Sequence, residues 1–522
     1  MPTARSNIPH PFPGLTPLFG AVALRAADQD ASRRFGLPGL LLMERAGLVS
    51  AQAILAHWPD AGHAVVMVGT GNNGGDGMVV ARHLSEAGWR VQLVSADGLA
   101  PTTPDAHTMS NVALAMGAAL GPFDPGAHRP AGAVLVDALL GTGTRGAPRA
   151  PLDAMVDWAR DWPGPVVALD VPSGVDADTG HVGGVCINAD LTVTYHGAKP
   201  GLHVSPGRAH AGEVVIVDIG IPSAVRAEPL AWLAGPSVAA QIPAKAVAGE
   251  KYGAGSVLVV AGAPGLTGAG VLCAQAGLRA GAGLVVAAVP ARVQGLMAAM
   301  MREVMCAPVT DTDGCFGTAS VPEIIAQAAR TTAVALGPGI GRHPATTDAV
   351  RGVLDGVTQP MVVDADGLWH LTGYLDAVRG RSAPTVLTPH SGEAARLLGC
   401  ERADVDRDRL GAAFELCQAS GATVVLKGPG TIVCSPDGAV FVARGGGPEL
   451  STAGSGDVLT GITASALAKG LEPGWAAIAA VCAHAIAGSR TGFGDGTVAG
   501  DLIEALPGAI AYARGLADEG RQ

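Results

Sequence analysis

Short runs of aliphatic and β-branched residues recur along this chain at intervals filled by helix-like segments. In the first half they are AVVMVG (64–69), RVQLVS (90–95), AVLVDALL (133–140), PVVALDV (165–171), LTVTY (191–195) and EVVIVDIG (213–220). The second half begins again with SVLVVAG (256–262) and continues through GLVVAAVP, AVALGP, MVVDADG, TVLTPH and TVVLKG. Strands that are apolar throughout, rather than alternating, are buried on both faces, and gaps long enough for a crossover helix make them parallel. The rhythm predicts an α/β protein built from βαβ units. Ahead of the first run, LLMERAGLVSAQAILAHW reads as an amphipathic helix.

With 522 residues the chain is too long for one ordinary domain. The strand rhythm lapses in IPSAVRAEPLAWLAGPSVAAQIPAKAVAGE (221–250), where prolines recur and no periodicity is visible. This places one domain over residues 15–225, a linker over 226–244 and a second domain over 245–515. The halves are not repeats of one another, so two different α/β domains in tandem are expected.

A net charge of −11 and the lack of any basic block argue against nucleic acid or anionic lipid as partners. The eight cysteines are scattered without a Cys-x-x-Cys pair, which fits buried thiols in a reducing compartment. Residues 252–278 run uncharged for long enough to span a bilayer, but seven glycines and a proline interrupt them, so strand, loop and helix are expected instead of a membrane span. The N-terminal MPTARSNIPHPFPG lacks the apolar core of a secretory signal, and a cytoplasmic location is expected. Low charge leaves self-association into a homo-oligomer open.

In an open parallel sheet, ligands bind beyond the carboxyl ends of the strands. Three polar glycine loops of the first half fall there: GTGNNGGDG (69–77), DALLGTGTRG (137–146) and DVPSGVDADTG (170–180). One alone could be a plain βα turn; three on one sheet edge suggest a ligand site. GTGNNGG lacks the G-x-G-x-x-G spacing, with an acid about 20 residues on, that a dinucleotide fingerprint requires. An ordinary Rossmann dehydrogenase is therefore disfavoured. Asn73, Asp137 and the segment Asp170–Ser173 offer hard oxygens suited to a cation or a ribose. Asp170, closing an apolar strand, is also placed for acid/base work.

GNNGGDGMVVAR, DALLGTG, DVPSG and ADLTVTYHGAKPGL together resemble the NAD(P)HX epimerase family, the YjeF N-terminal domain, over about residues 15–222. The resemblance implies a Rossmann-like domain that interconverts the R and S forms of hydrated NADH and NADPH and binds potassium. Substrate contacts would come from Asn72, Asn73, Gly74, Gly75 and Asp76, and from Gly141, Thr142, Gly143, Thr144, Arg145, Gly146 and Ala147. Asn73, Asp137 and Ser173 would hold K+, and Asp170 would bind substrate and act as acid/base. Arg145 in GTGTRG stands where eukaryotic relatives have lysine in GFSFKG.

STAGSGDVLTG (451–461) reads as a glycine turn opening a helix, with free amides over Ala453–Asp457 facing an anion. Asp457 is placed to take a proton from a hydroxyl attacking phosphorus. LKGPGT (426–431) offers a lysine and amides to phosphates, and ALGPGIG (335–341) is a further strand-end loop. No G-x-x-x-x-G-K-[ST] run occurs, which excludes a P-loop NTPase.

VVDADGL, LTPHSGEAARLLG, VVLKGPGTIV and AGSGDVLTGI resemble the ribokinase-like superfamily and, within it, the ADP-dependent NAD(P)HX dehydratase family over about 245–515. The resemblance implies a doubly wound domain. Its substrate contacts would be Ala269, Gly339, His390 and catalytic Asp457, and its nucleotide contacts Lys427, Gly428, Pro429, Gly430, Thr431 and Gly456. ADP is the implied co-substrate, with Mg2+. Two departures stand out: PHSGE has Ser391 where the family has proline, and GEKYG (249–253) replaces HKG.

The two halves together imply repair of hydrated nicotinamide cofactors, NADHX and NADPHX. One domain would equilibrate the epimers and the other would dehydrate the S form, giving NAD(P)H, AMP and phosphate. A ribokinase-like vitamin kinase would have no use for the first cluster of cation ligands. A nucleotide-sensing scaffold would need neither Asp170 nor Asp457 as a base.

Overall fold

A computed structural model describes residues 14–246, 250–251 and 253–519. Residues 1–13 of the N-terminal stretch, and Gly249 and Tyr252 of GEKYG, lie outside the described residues. The chain divides into two compact units, Pro17–Ala231 and Trp232–Gln522, with Leu15 and Thr16 grouped with the latter.

Helices α1 (Ala21–Phe35) and α2 (Gly39–His57) open the first unit. There follow β1 (His63–Val68), α3 (Asn72–Glu86), β2 (Arg90–Ser95), α4 (Pro104–Ala115), β3 (Leu120–Pro122), β4 (Val134–Ala138), α5 (Leu152–Ala159), β5 (Val166–Leu169), β6 (Leu191–Tyr195) and β7 (Glu213–Val217). The seven strands lie in the order β3-β2-β1-β4-β5-β6-β7, and every neighbouring pair is parallel. Winding reverses between β1 and β4, so the loops leaving these two strands diverge and open a crevice at their carboxyl ends. β1 and β4 are almost wholly buried valine, leucine, alanine and methionine, as two-sided strands must be. By length and composition α2 could cross a membrane, but in this unit it packs on α3 and α4.

Helix α3 starts inside the GTGNNGGDG motif, at Asn72, and the glycines of its first turns serve packing. A Cβ on Gly69 would fall 1.9 Å from the Leu139 carbonyl oxygen, and one on Gly74 2.0 Å from that of Gly69. Gly75 meets Ala106 and Met43, and Gly77 meets Ala138. Helix and sheet approach too closely here for any larger residue.

The second unit begins inside the stretch that the sequence reads as a linker. β8 (Ala231–Ala234) is fully buried and pairs in parallel with a later strand, and Val238, Ala239 and Ile242 join the core beside Trp232. Residues 231–242 are thus part of the folded body; their alanines and prolines mimic a linker because a short strand and a 3-10 turn need no longer apolar run.

β9 (Ser256–Val260), α6 (Thr267–Arg279), β10 (Leu284–Pro290), β11 (Met305–Val309), β12 (Ala333–Leu336), β13 (Met361–Val363) and β14 (Thr385–Leu387) follow. Next come α7 (Ser391–Leu398), α8 (Arg409–Ser420), β15 (Thr423–Leu426), β16 (Ile432–Cys434), β17 (Val440–Ala443), α9 (Ser455–Ala468) and α10 (Pro473–Ser489). The sheet runs β8-β17-β16-β15-β14-β13-β12-β9-β10-β11, with Leu15–Leu18 at its β8 edge. It is parallel from β15 to β11, β15, β16 and β17 turn back on one another as antiparallel neighbours, and β17 pairs with β8 in parallel. The stretch 252–278 that could have been a span contains β9, a glycine loop and most of α6, as its breakers require.

Candidate active sites

The divergent loops of the first unit enclose a cavity of about 780 Å³, lined by Gly71–Asn73, Asp76, Leu139–Thr144, Asp170, Tyr195 and Lys199, with Asp28 on α1 across from them. Asp170 follows β5 directly and takes φ +68°, a left-handed conformation that few non-glycine residues adopt. Its carboxylate accepts a 2.6 Å hydrogen bond from Lys199 Nζ, and its second oxygen accepts from the Thr142 amide. Lys199 is 1% exposed and also donates to Thr194 Oγ1 and the Tyr195 carbonyl. A buried cation is tolerable only with such saturation.

Two further carboxyls share this basin. Burial and the charges of Asp170 and Asp28 hold Asp76 well above the ordinary carboxylate range. Asp28 is pushed up to about 6, first by desolvation and then by Asp170, with Lys199 opposing. Below the cavity, Asp137 is completely buried; its carboxylate accepts from the Ser173 amide and hydroxyl and from the Leu139 amide, while desolvation lifts its pKa to about 6. Asn73 donates to the carbonyls of Leu140 and Leu169 and leaves its buried Oδ1 without a hydrogen-bond partner. An orphaned oxygen beside a dry carboxylate suits a weakly hydrated monovalent cation.

The structure gathers Asn72, Asn73, Asp76, Gly141, Thr142, Gly143, Thr144 and Asp170 around the cavity, with Asp137 and Ser173 beneath it. Other expected substrate contacts fall elsewhere. Gly74 and Gly75 are absorbed in helix packing. Arg145, Gly146 and Ala147 are outside the lining, with Arg145 exposed and ion-paired to Asp178 at 3.2 Å. Lys199, Asp28 and Tyr195 were not singled out from sequence, although Lys199 stands in the quoted HGAKPGL.

In the second unit, β13 delivers Asp364 into the base of the site. One of its oxygens accepts from Lys427 Nζ at 2.7 Å and the other from Thr460 Oγ1 of α9 at 2.6 Å. Ala365, the next residue, takes φ +52°, a strained setting that turns the chain from strand into helix between Asp364 and Asp366. Burial would lower the Lys427 pKa, but Asp364 and Glu393 outweigh it and raise it. At the start of α9, a Cβ on Gly456 would lie 3.3 Å from Lys427 Nζ, so the helix N-terminus and the lysine face one space. Asp457 stands in its first turn, pushed up to about 7 by desolvation and by the neighbouring Asp364.

His390 caps α7: its Nδ1 accepts from the amides of Gly392 and Glu393, and Glu393 returns a carboxylate to the His390 amide. This reciprocal cap forms with Ser391 in the first helical position, and His390 keeps an exposed ring while its backbone pairs with that of Lys427. Gly339, at φ +61°, packs on Leu266 and Ala269 at the head of α6. Of the expected residues, His390, Lys427, Gly456 and Asp457 converge directly, Gly428–Thr431 form the loop after Lys427, and Ala269 and Gly339 adjoin each other. Asp364, Asp366, Glu393, Thr460 and the buried Arg409 complete the cluster without having been singled out.

Two α/β units, each with an acid–lysine pair and glycine loops at the carboxyl ends of a parallel sheet, define a protein with two ligand sites of enzymatic type. Residues 39–201 match the family described as YjeF-related protein N-terminus, and residues 257–507 the NAD(P)H-hydrate dehydratase family. The chain is 38% identical to the bifunctional NAD(P)H-hydrate repair enzyme Nnr of Moorella thermoacetica, over 94% of this chain and 96% of that one. It is 38% identical to the Salinibacter ruber enzyme of the same name, over 97% and 98% of the two chains, and 34% identical to that of Escherichia coli, over 92% of each. Among solved structures, an ADP/ATP-dependent NAD(P)H-hydrate dehydratase from Bacillus subtilis is 26% identical, covering 53% of this chain and 96% of its own, with a TM-score of 0.44. The chain belongs to the family of bifunctional NAD(P)H-hydrate repair enzymes, with an epimerase unit followed by a ribokinase-like dehydratase unit.

Proposed function

We propose that the first unit interconverts the R and S forms of NADHX and NADPHX in the Asp170 cavity, and that the second converts the S form to NAD(P)H with ADP as phosphoryl donor. What carries the reading is the pairing, in one chain matched almost end to end by repair enzymes, of two acid–lysine sites at the ends of parallel sheets.

In NAD(P)HX the hydroxyl-bearing carbon adjoins the ring nitrogen, whose lone pair can expel the hydroxyl once it is protonated. Water then returns to either face and gives up a proton. Asp76, which retains its proton more firmly than an ordinary carboxyl, is suited to the acid role; Asp170, fixed by Lys199, is suited to receive the proton. Asn73, Asp137 and Ser173 would hold K+, for which the unpartnered Asn73 Oδ1 and the buried carboxylate are fitting donors. Bound there, the ion would supply fixed positive charge beneath the loops.

In the second unit Asp457 takes the proton of the substrate hydroxyl as its oxygen attacks the β-phosphorus of ADP, and AMP departs. Lys427, the amides of Gly430 and Thr431 and the N-terminus of α9 receive the phosphates. The ring nitrogen then expels phosphate, and loss of a ring proton leaves NAD(P)H. Among the described residues no group of three or more His, Cys, Asp or Glu could hold a metal ion, so Mg2+ would enter on the phosphates of ADP. His390 and the Ala269–Gly339 contact would position the nicotinamide half.

The test is conversion of mixed NADHX epimers with ADP, Mg2+ and K+, followed by NADH absorbance. Complete conversion is expected from the natural chain. Asp170→Ala should stop at the S fraction, and Asp457→Ala should form no NADH. A natural chain that binds ADP yet forms no NADH would overturn the reading in favour of a kinase or a sensor.

A further inference from the structure

Arg409 is 3% exposed, at the first position of α8, and the mechanism above does not use it. Its guanidinium spans the loop between β15 and β16. Nη1 donates to the Pro429 carbonyl at 2.9 Å and reaches that of Gly430 at 3.5 Å, while Nη2 donates to those of Leu426 and Lys427 at 3.2 and 3.1 Å. Gly428 makes room for it: at φ +146°, a Cβ there would lie 2.7 Å from Nη2.

In a trans peptide the carbonyl and the following amide point in opposite directions. With the carbonyls of Pro429 and Gly430 drawn in to Arg409, the amides of Gly430 and Thr431 are turned away from it, to the outer face of the loop. Those carbonyls, left outward, would present negative dipoles to an incoming anion. The carbonyl dipoles and the charge of nearby Asp406 balance the cation, so what it gives the loop is the orientation of its peptides. An anion on the outer face would meet oriented amides and the Lys427 ammonium.

We propose that Arg409 is the positioning residue of the nucleotide site, holding loop 427–431 in the conformation that receives the diphosphate of a nucleoside diphosphate. This rests on the reading of that loop as the ADP site. Arg409 touches the loop and not the substrate, so its loss should act on ADP affinity before it acts on turnover.

The experiment is calorimetric titration of the full chain with ADP, beside dehydratase kinetics, for Arg409→Met, Arg409→Lys and a control, Arg381→Met. Arg381 is also enclosed and donates to the backbone carbonyls of Leu354, Val357 and Gln359, away from the loop. We expect Arg409→Met to weaken ADP binding and raise its KM by on the order of tenfold, with kcat at saturating ADP within about twofold, because two to four charge-assisted bonds are lost. Arg409→Lys, which keeps the charge and loses the fork, should fall between. In Arg409→Ala, methylguanidinium should restore part of the affinity, and epimerase activity should be unchanged in every variant. ADP affinity within about twofold of the natural chain in both Arg409→Met and Arg409→Lys would overturn the proposal. So would an equal loss in Arg381→Met, which would mark a general effect of removing a buried arginine. Failure of the natural chain to bind ADP would instead overturn the reading of the loop itself. If Arg409→Met does not fold, the lysine variant and the methylguanidinium rescue decide the question.

Discussion

Lys199 donates to three oxygens from a side chain 1% exposed, and Asp170 is its counter-ion at 2.6 Å. Removing one member of a buried pair strands the other, which costs about 3–5 kcal/mol, far more than a surface pair is worth. Lys199→Met is therefore expected to destabilise the first unit by that amount and to abolish epimerisation, while S-NADHX is still dehydrated. Denaturant titration and separate assays with each epimer check this; full epimerase activity in the variant would remove Lys199 from the mechanism. Asp457 titrates where activity can report it. Its carboxyl, raised to about 7, must be ionised to act as a base, so dehydration should fall about tenfold per pH unit below that value. For stability the sign is opposite. Between pH 4 and 7 the folded chain keeps a proton that the unfolded chain has lost, so this group lowers stability as pH rises. Asp457→Asn should gain stability relative to the natural chain across that window and hold the gain above it, as melting curves at pH 4 and 8 would show. Asp170 and Asp457 were legible because each lies in a glycine-bearing motif at an element boundary, the end of β5 and the start of α9. Lys199, Asp76's tight proton and Arg409 were not, since their meaning depends on distant partners, 29 residues away for Lys199 and Asp170 and 17–21 away for Arg409 and its loop.

At the scale of elements, the β1–α3 turn shows how a glycine cluster divides its labour. The family resemblance implies substrate contacts at Gly74 and Gly75, yet of the five glycines only Gly71 faces open space at ordinary φ, with nothing within 4 Å of a built Cβ. Gly74→Ala would gain up to about 1 kcal/mol in helix propensity. It would also set a methyl 2.0 Å from a carbonyl oxygen that cannot rotate away, and overpacking of this kind costs about 1–3 kcal/mol. Gly74→Ala should therefore be destabilising, and Gly71→Ala should leave stability within about 0.5 kcal/mol while weakening substrate binding. Equal melting points for the two would refute this division. The central parallel strands of both sheets were readable, because burial writes an unbroken apolar run. β3 and β11 lie at sheet edges, and β16 and β17 are short and antiparallel, so none carries that signature. β8 was hidden for a related reason: AWLA between prolines is long enough for a strand and too short for a periodicity.

For the whole molecule, the division of labour is itself testable, because each unit carries its own ligand chemistry. A ligand that binds only the folded state stabilises it by RT ln(1 + [L]/Kd), about 2.7 kcal/mol at a hundredfold excess over Kd. That energy is delivered to the unit that holds the site. ADP with Mg2+ should slow backbone hydrogen exchange within Trp232–Gln522, most strongly around Lys427–Thr431 and the start of α9. Potassium in place of lithium should slow it within Pro17–Ala231, around Asn73, Asp137 and Ser173. Asn73→Ala should erase the potassium effect and leave the ADP effect in place, since the orphaned Oδ1 is lost while the Lys427 site is untouched. Protection of the first unit by ADP, or a potassium effect that survives Asn73→Ala, would refute this assignment of ligands. Separate responses would mean that one chain carries two self-sufficient sites, and that the epimer rejected by the second unit is returned to use by the chemistry of the first.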